Sequence, residues 1–98
     1  MSVDQTTPTL KIGRFSQICQ LTKKALRLYE KKDILVPAYK DELSGYRYYT
    51  TDQIEKGLIL RQLSWVQFSL AEMKQYIGFL NRGKEEQAKK LLEHKRQE

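Results

Sequence analysis

Over residues 22–32, TKKALRLYEKK, apolar and basic positions separate at the helical step of about 100° per residue. Leu21, Ala25, Leu28 and Tyr29 fall on one stripe, and Lys23, Lys24, Arg27 and Lys31 fall on the opposite one. One side can be buried while the other meets solvent or an anion. Thr22 suits the N-cap, because its hydroxyl can accept from a first-turn amide, and Leu21 and Leu26 occupy the two positions of a hydrophobic staple. Lysines in the first turn oppose the helix dipole by roughly a few tenths of a kcal/mol per charge, and a docked polyanion would offset that.

Upstream, Ile12, Phe15, Ile18, Cys19 and Leu21 mark a short helix beginning near Gly13, after which Gln20 and Leu21 must turn the chain into Thr22. Two short helices joined by a tight turn, the second capped and basic, form the pattern of a helix-turn-helix. Residues 1–9 are polar, contain Pro8 and show no period, which predicts a loose arm. After the basic helix, Pro37 ends the helical pattern, and β-branched and aromatic residues on both sides of residues 40–45 predict a hairpin. Behind a helix-turn-helix, such a hairpin is a wing. Its second limb alternates, with Tyr46 and Tyr48 on one face and Arg47 and Tyr49 on the other; Tyr49 is expected to pack on the helices.

Two capping boxes follow. Thr50-x-x-Gln53, with Tyr49 and Ile54 as its staple, starts a helix from about 51 to 64 whose buried face is expected from Ile54, Leu58 and Leu63. Ser69-x-x-Glu72, with Phe68 and Met73, starts another carrying Leu70, Met73, Ile77 and Leu80, and Asn81-Arg82-Gly83 closes it. The connector 64–68, containing Trp65 and Gln67, reads as a short exposed loop and a second wing. In residues 84–98 the apolar positions are Ala88, Leu91 and Leu92, too few to hold a lone helix in water, so that stripe needs a partner surface.

At 98 residues the chain is one domain. Its 18 Lys and Arg against 12 Asp and Glu give a net charge of +6, which points to a polyanionic partner, nucleic acid first. Apolar runs are short and the N-terminus lacks the layout of a secretory signal, so the expectation is a soluble, cytoplasmic protein with no membrane partner. The one cysteine, Cys19, cannot form an internal disulfide and sits where a small core residue belongs. No Cys/His spacing resembles a zinc site, His94 reads as a surface residue, and neither metal nor cofactor is expected. No acid, base and nucleophile converge and there is no phosphate-binding glycine loop, so the chain does not read as an enzyme.

Several motifs stand in one order: Gly13 with the short helix, Thr22-x-x-Ala25-Leu26-Arg27-Leu28-Tyr29-Glu30, Ile34-Leu35-x-Pro37, Gly45-Tyr46-Arg47-Tyr48-Tyr49 and Phe68-Ser69-Leu70-x-Glu72-Met73. Over residues 10–77 they resemble the N-terminal domain of the MerR family of transcriptional regulators, most nearly its branch responsive to multidrug or other organic ligands. The resemblance implies a mainly α fold: a winged helix-turn-helix with a small β-hairpin wing, followed by a helix pair and the start of a dimerisation helix. The implied division is an arm over 1–9, a DNA-binding domain over 10–82 and the start of a coiled-coil helix over 83–98. It also implies a homodimer on double-stranded promoter DNA, twisting and bending a promoter with an overlong spacer so that RNA polymerase can use it. The DNA-binding set is then Thr22, Lys23, Lys24, Arg27 and Tyr29 from the second helix, Tyr39, Tyr46, Arg47 and Tyr48 from the hairpin, and Ser64 from the connector; Ala88, Leu91 and Leu92 serve dimerisation.

Three residues depart from the family pattern. Leu28 replaces the first of two adjacent tyrosines, Gln20 stands where the turn usually has a small residue, and Gln67 stands where the second wing usually has glycine. If that glycine's positive φ is needed, Gln67 is strained. The cysteines of the family's metal sensors have no counterpart here. Two other classes fit the same elements: a winged-helix adaptor that binds a protein, and an architectural DNA binder without transcriptional activity. Steep salt dependence separates DNA binding from the adaptor, and a promoter transcription assay separates a regulator from an architectural protein.

Overall fold

The computed structural model describes residues 8–96. In chain order it contains β1 (Thr9–Lys11), α1 (Ile12–Cys19), α2 (Lys23–Lys31), β2 (Tyr39–Lys40), β3 (Arg47–Thr50), α3 (Ile54–Trp65), α4 (Leu70–Asn81) and α5 (Glu85–Arg96). A 3₁₀ turn, Thr51–Gln53, leads into α3. No described helix is long and apolar enough to cross a membrane.

The local signals act where the side chains allow. Thr22 accepts a hydrogen bond from the Ala25 amide and starts α2. Both capping boxes are closed, Thr50 with Gln53 and Ser69 with Glu72. The Ser69 amide donates to the Glu72 carboxylate and, against desolvation and with help from Lys95, holds its pKa below the ordinary value.

Pairing adds a strand the pattern does not predict. The sheet order is β1-β3-β2, with both outer strands antiparallel to β3; Leu10 lies opposite Tyr49, Tyr39 opposite Tyr48, and Lys40 opposite Arg47. Thr9 therefore belongs to a strand instead of the expected arm, because three residues are too few to show a period and only β3 organises them. The first seven residues of that arm lie outside the described residues.

The core gathers α1, α2, β3, α3 and α4. Tyr49 is fully buried, as expected, and stacks on Phe15 with ring centroids 4.2 Å apart and planes 10° apart. Two expected core residues are outside. Leu28 is exposed and Leu26 is buried in its place; the buried arc of α2 centres on Leu26 and Tyr29, and Leu28 lies roughly 160° round from Leu26, beside Lys24. Leu58 is also exposed, since α3 buries Gly57, Leu60 and Leu63. Gly57 sets that orientation, and a glycine contact leaves no apolar mark in the sequence.

The stripe of α5 finds its partner within the chain. Ala88 is buried, Leu91 and Leu92 pack against the core cluster, and Lys95 pairs with Glu72 of α4 at 3.5 Å.

Two stability outcomes follow from this packing. A β-carbon on Gly57 would stand 2.5 Å from Cys19 Sγ and 3.2 Å from Phe15 Cζ. Gly57→Ala is therefore expected to destabilise by about 1–3 kcal/mol despite its better helix propensity, and adding Cys19→Ala to recover most of the loss in urea unfolding. The Tyr49 hydroxyl has no hydrogen-bond partner among the described residues, and burial, reinforced by Glu30 and opposed by Arg47 and Arg27, raises its pKa from 10.0 to about 12. Below pH 10 both folded and unfolded phenols keep the proton. Between 10 and about 12 the unfolded one loses it first, so stability falls as pH rises. Tyr49→Phe should match or slightly exceed the wild-type stability at neutral pH and remove that part of the alkaline fall.

Candidate nucleic-acid interface

The placement of α2 is fixed by the turn before it. Gln20 adopts φ 57°, its amide and that of Leu21 both donate to the Ser16 carbonyl, and the Ser16 hydroxyl donates to the Leu21 carbonyl. With Leu26 and Tyr29 inward, Lys23, Lys24, Arg27 and Lys31 are exposed.

A groove of about 570 Å³ runs between α2, the start of α1 and the hairpin; it is lined by Lys11, Ile12, Gly13, Arg14, Lys23, Arg27, Gly45, Tyr46 and Arg47. Five of these residues are cations. Lys11 Nζ lies 4.7 Å from the centroid of the Tyr46 ring, so the base of the wing and its tyrosine share one charge. Lys23 reaches over Gly13, its Nζ 3.7 Å from where a β-carbon would be. No side chain caps α1, and the first turns of α1 and α2 contain no acid. Helix dipole and side chains thus favour an anion here in the same sense. Gly45, at φ 78°, makes the bend that brings Tyr46 to the groove; its amide donates to the Asp41 carbonyl, and the Asp41 amide to that of Tyr46.

Four members of the sequence-derived set meet in this groove: Lys23, Arg27, Tyr46 and Arg47. Lys24 is exposed on α2 outside it. Thr22 is occupied as the cap, and Tyr29 is buried, its phenol pKa raised by desolvation, so it supports the helix from the core side instead of standing on the surface. Tyr39 and Tyr48 face each other on the hairpin, ring centroids 5.8 Å apart. Ser64 lies at the end of α3, donating to the Arg61 carbonyl. The connector beyond it is a turn with Gln67 at φ 62°, and Trp65 is 67% exposed with the Arg61 guanidinium 4.1 Å from its ring. Lys11 and Arg14 were not in the set. Lys11 enters through β1, which has no sequence signature, and the uncapped start of α1 was the available signal for Arg14.

No group of three or more His, Cys, Asp or Glu is placed to hold a metal among the described residues. Cys19 is buried, and burial raises its thiol pKa.

Residues 11–49 match the MerR family of regulatory proteins. The chain is 40% identical over 63 residues to the multidrug-efflux transporter 1 regulator of Bacillus subtilis, covering 64% of this chain and 23% of that protein. It is 35% identical over 72 residues to the HTH-type transcriptional regulator CueR of Vibrio cholerae, covering 74% of this chain and 51% of the relative. It thus spans about half the length, or less, of these regulators. Among solved structures it is similar to the EcmrR–DNA complex in EcmrR-RPo, seen by cryo-electron microscopy, with a TM-score of 0.67, 37% identity, and 89% of this chain and 30% of that one covered. The crystal structure of HiNmlR, a MerR family regulator lacking the sensor domain and bound to promoter DNA, gives a TM-score of 0.70 at 21% identity over 92% and 72% of the two chains. That second likeness speaks for the fold.

The groove divides the cations of this face into those inside it, such as Lys23 and Arg14, and those outside it, such as Lys24. Alanine at Lys23 or Arg14, inside the groove, is expected to weaken binding to all duplexes alike and to flatten the salt slope by about one unit, as loss of a phosphate contact does. Alanine at Lys24, outside it, is expected to cost ~1–3 kcal/mol on the preferred sequence and to relax the choice at one position. Titrating each variant against a preferred and a random duplex at several salt concentrations reads both.

Proposed function

We propose that the chain carries a winged helix-turn-helix domain of the MerR type and is a sequence-specific, double-stranded DNA-binding transcriptional regulator. The observation that carries this reading is the groove where Lys11, Arg14, Lys23, Arg27 and Arg47 converge beside an exposed basic helix face. In this reading α2 enters the major groove, while the Tyr46–Arg47 wing and the connector at Ser64 grip the flanking backbone. The domain binds and distorts promoter DNA in the cytoplasm, acts on RNA polymerase through the promoter, and performs no catalysis.

It does so as a homodimer on a pseudo-palindromic site. Ala88 is already 1% exposed within its own chain, so the surface offered to a second copy is the outer edge of Leu91 and Leu92 together with the adjoining groove. That groove, about 310 Å³, is lined by residues that include Ile59, Trp65, Tyr76 and Leu92. At ~25 cal/mol per Å² of apolar surface such a contact yields several kcal/mol, from which association subtracts at least ~4. The free domain is therefore a weak dimer. On adjacent half-sites the second contact becomes effectively intramolecular, and binding is cooperative.

Selection of bound duplexes from a randomised pool tests the whole reading. The expected product is an inverted repeat. Trp65→Ser should lower affinity for the full repeat more than for one half-site while leaving the thermal midpoint close to wild type, because most of Trp65 is already in solvent. A pool without any enriched motif would remove sequence-specific recognition, and equal affinity for half and full sites would remove the two-fold arrangement. Weak, salt-insensitive DNA binding beside a tight protein partner would favour the adaptor.

A further inference from the structure

One acid lies on the inner flank of the basic helix. Glu30, near the end of α2, pairs with Arg47 of β3, and both side chains are 24% exposed. The bond uses Arg47 Nε, and no other side-chain hydrogen bond of Arg47 exists among the described residues. Arg47 is also a wall of the basic groove, together with Lys11, Arg14, Lys23 and Arg27. The carboxylate therefore holds the inner edge of the guanidinium and leaves both amino groups, the edge that fits two phosphate oxygens, without a protein partner.

We propose that Glu30 is a positioning residue for DNA binding: by holding Arg47 at Nε it fixes the amino edge for a backbone phosphate and ties the wing to the recognition helix. The proposal rests on the DNA-binding reading above. Without Glu30, four cations on the same groove would repel Arg47 towards solvent, and its long side chain would have to be ordered at the moment of binding. The Glu30 carboxylate and the Arg47 guanidinium both lie near enough to the buried Tyr49 hydroxyl to act on it through their charge, although that hydroxyl has no hydrogen-bond partner among the described residues. The rival reading makes Glu30 a competitor that masks Arg47 from DNA. A competitor would occupy the amino edge; this carboxylate sits on Nε.

The two readings predict opposite signs. Glu30→Gln makes the chain more positive by one unit, so charge alone, or relief from competition, should tighten binding. Positioning predicts weaker binding to a short mixed-sequence duplex, on the order of three- to tenfold, with a salt slope flatter by about one unit. The loss should vanish in an Arg47→Ala background. A second variant, the exchange Glu30→Arg with Arg47→Glu, keeps an ion pair between the same elements and places the carboxylate on the groove side. It should melt close to wild type yet bind no better than Arg47→Ala. Glu30→Gln binding as tightly as wild type, an undiminished loss in the Arg47→Ala background, or wild-type affinity in the exchange variant would each overturn the proposal. Wild type and Lys23→Ala on the same duplex keep the two levels apart. Failure of wild type to bind any duplex takes down the DNA-binding reading and this proposal together, whereas steep salt-dependent wild-type binding with an unaffected Glu30→Gln takes down this proposal alone.

Discussion

The stack of Phe15 on Tyr49 is the contact through which the parts of this domain are held in register. Phe15 belongs to the first helix of the helix-turn-helix, and Tyr49 to the central strand, opposite Leu10. The next residue, Thr50, caps the turn into α3. One pair of rings thus locates helix-turn-helix, sheet and helix pair relative to one another. Its energetics are lopsided. An aromatic pair adds ~0.5–1.5 kcal/mol beyond its buried area, while a buried hydroxyl without a partner costs ~1–3. The stack therefore holds by the apolar area it removes from water, and the phenolic oxygen is a deduction from that gain.

Four helices end in the same way, and the comparison among them explains which residue each ending tolerates. Gln20, Asp33, Gln67 and Gly83 all have φ between 57° and 71°, and the amide of the following residue bonds back five positions: Leu21 to Ser16, Ile34 to Tyr29, Phe68 to Leu63 and Lys84 to Phe79. A left-handed non-glycine costs ~1–2 kcal/mol. In the first three cases the following residue is a buried Leu, Ile or Phe, whose burial contributes ~1.5–3 kcal/mol and offsets the strain. In the fourth the following residue is an exposed lysine, and there the sequence has glycine. The departures at Gln20 and Gln67 from the family's smaller residues are thus sustained by Leu21 and Phe68.

What could be read from the sequence was what depends on near neighbours. The Thr22 cap, both capping boxes, the Gly83 ending and the hairpin are local exchanges between a side chain and a backbone a few residues away, so residue identity suffices to find them. What was missed needs distant partners. β1 exists because β3 pairs with it; Leu58 faces outward because Gly57 meets Cys19; the stripe of α5 packs on the core cluster of its own chain, a surface the sequence does not name; and Leu28 was drawn into a buried arc that the real packing makes narrower. The site divides in the same way. Lys23, Arg27, Tyr46 and Arg47 were legible as a basic face and a wing, but Lys11 and Arg14 join them through β1 and the approach of α1. Nothing in the sequence marks Glu30 as the partner of Arg47, seventeen positions away; the fold sets the two together.

The groove concentrates costs that one kind of ligand removes together. Five cations repel one another across it, the start of α1 has no cap, and Lys23 opposes the dipole of α2. Each is minor in a free protein with solvent between the charges, of order a few tenths of a kcal/mol. A phosphate placed among them reverses the sign of every term at once, so part of the binding free energy comes from relief of strain already present in the free fold. Salt acts on the same charges in two senses. Screening over about 8 Å at physiological ionic strength relaxes the repulsion among the cations, favouring the free fold, and simultaneously weakens their attraction for phosphate. Stability and affinity are therefore coupled through this groove with opposite dependence on ionic strength. An acid introduced there to stabilise the fold would lower affinity for such an anion wherever it took the edge of a cation that a phosphate needs.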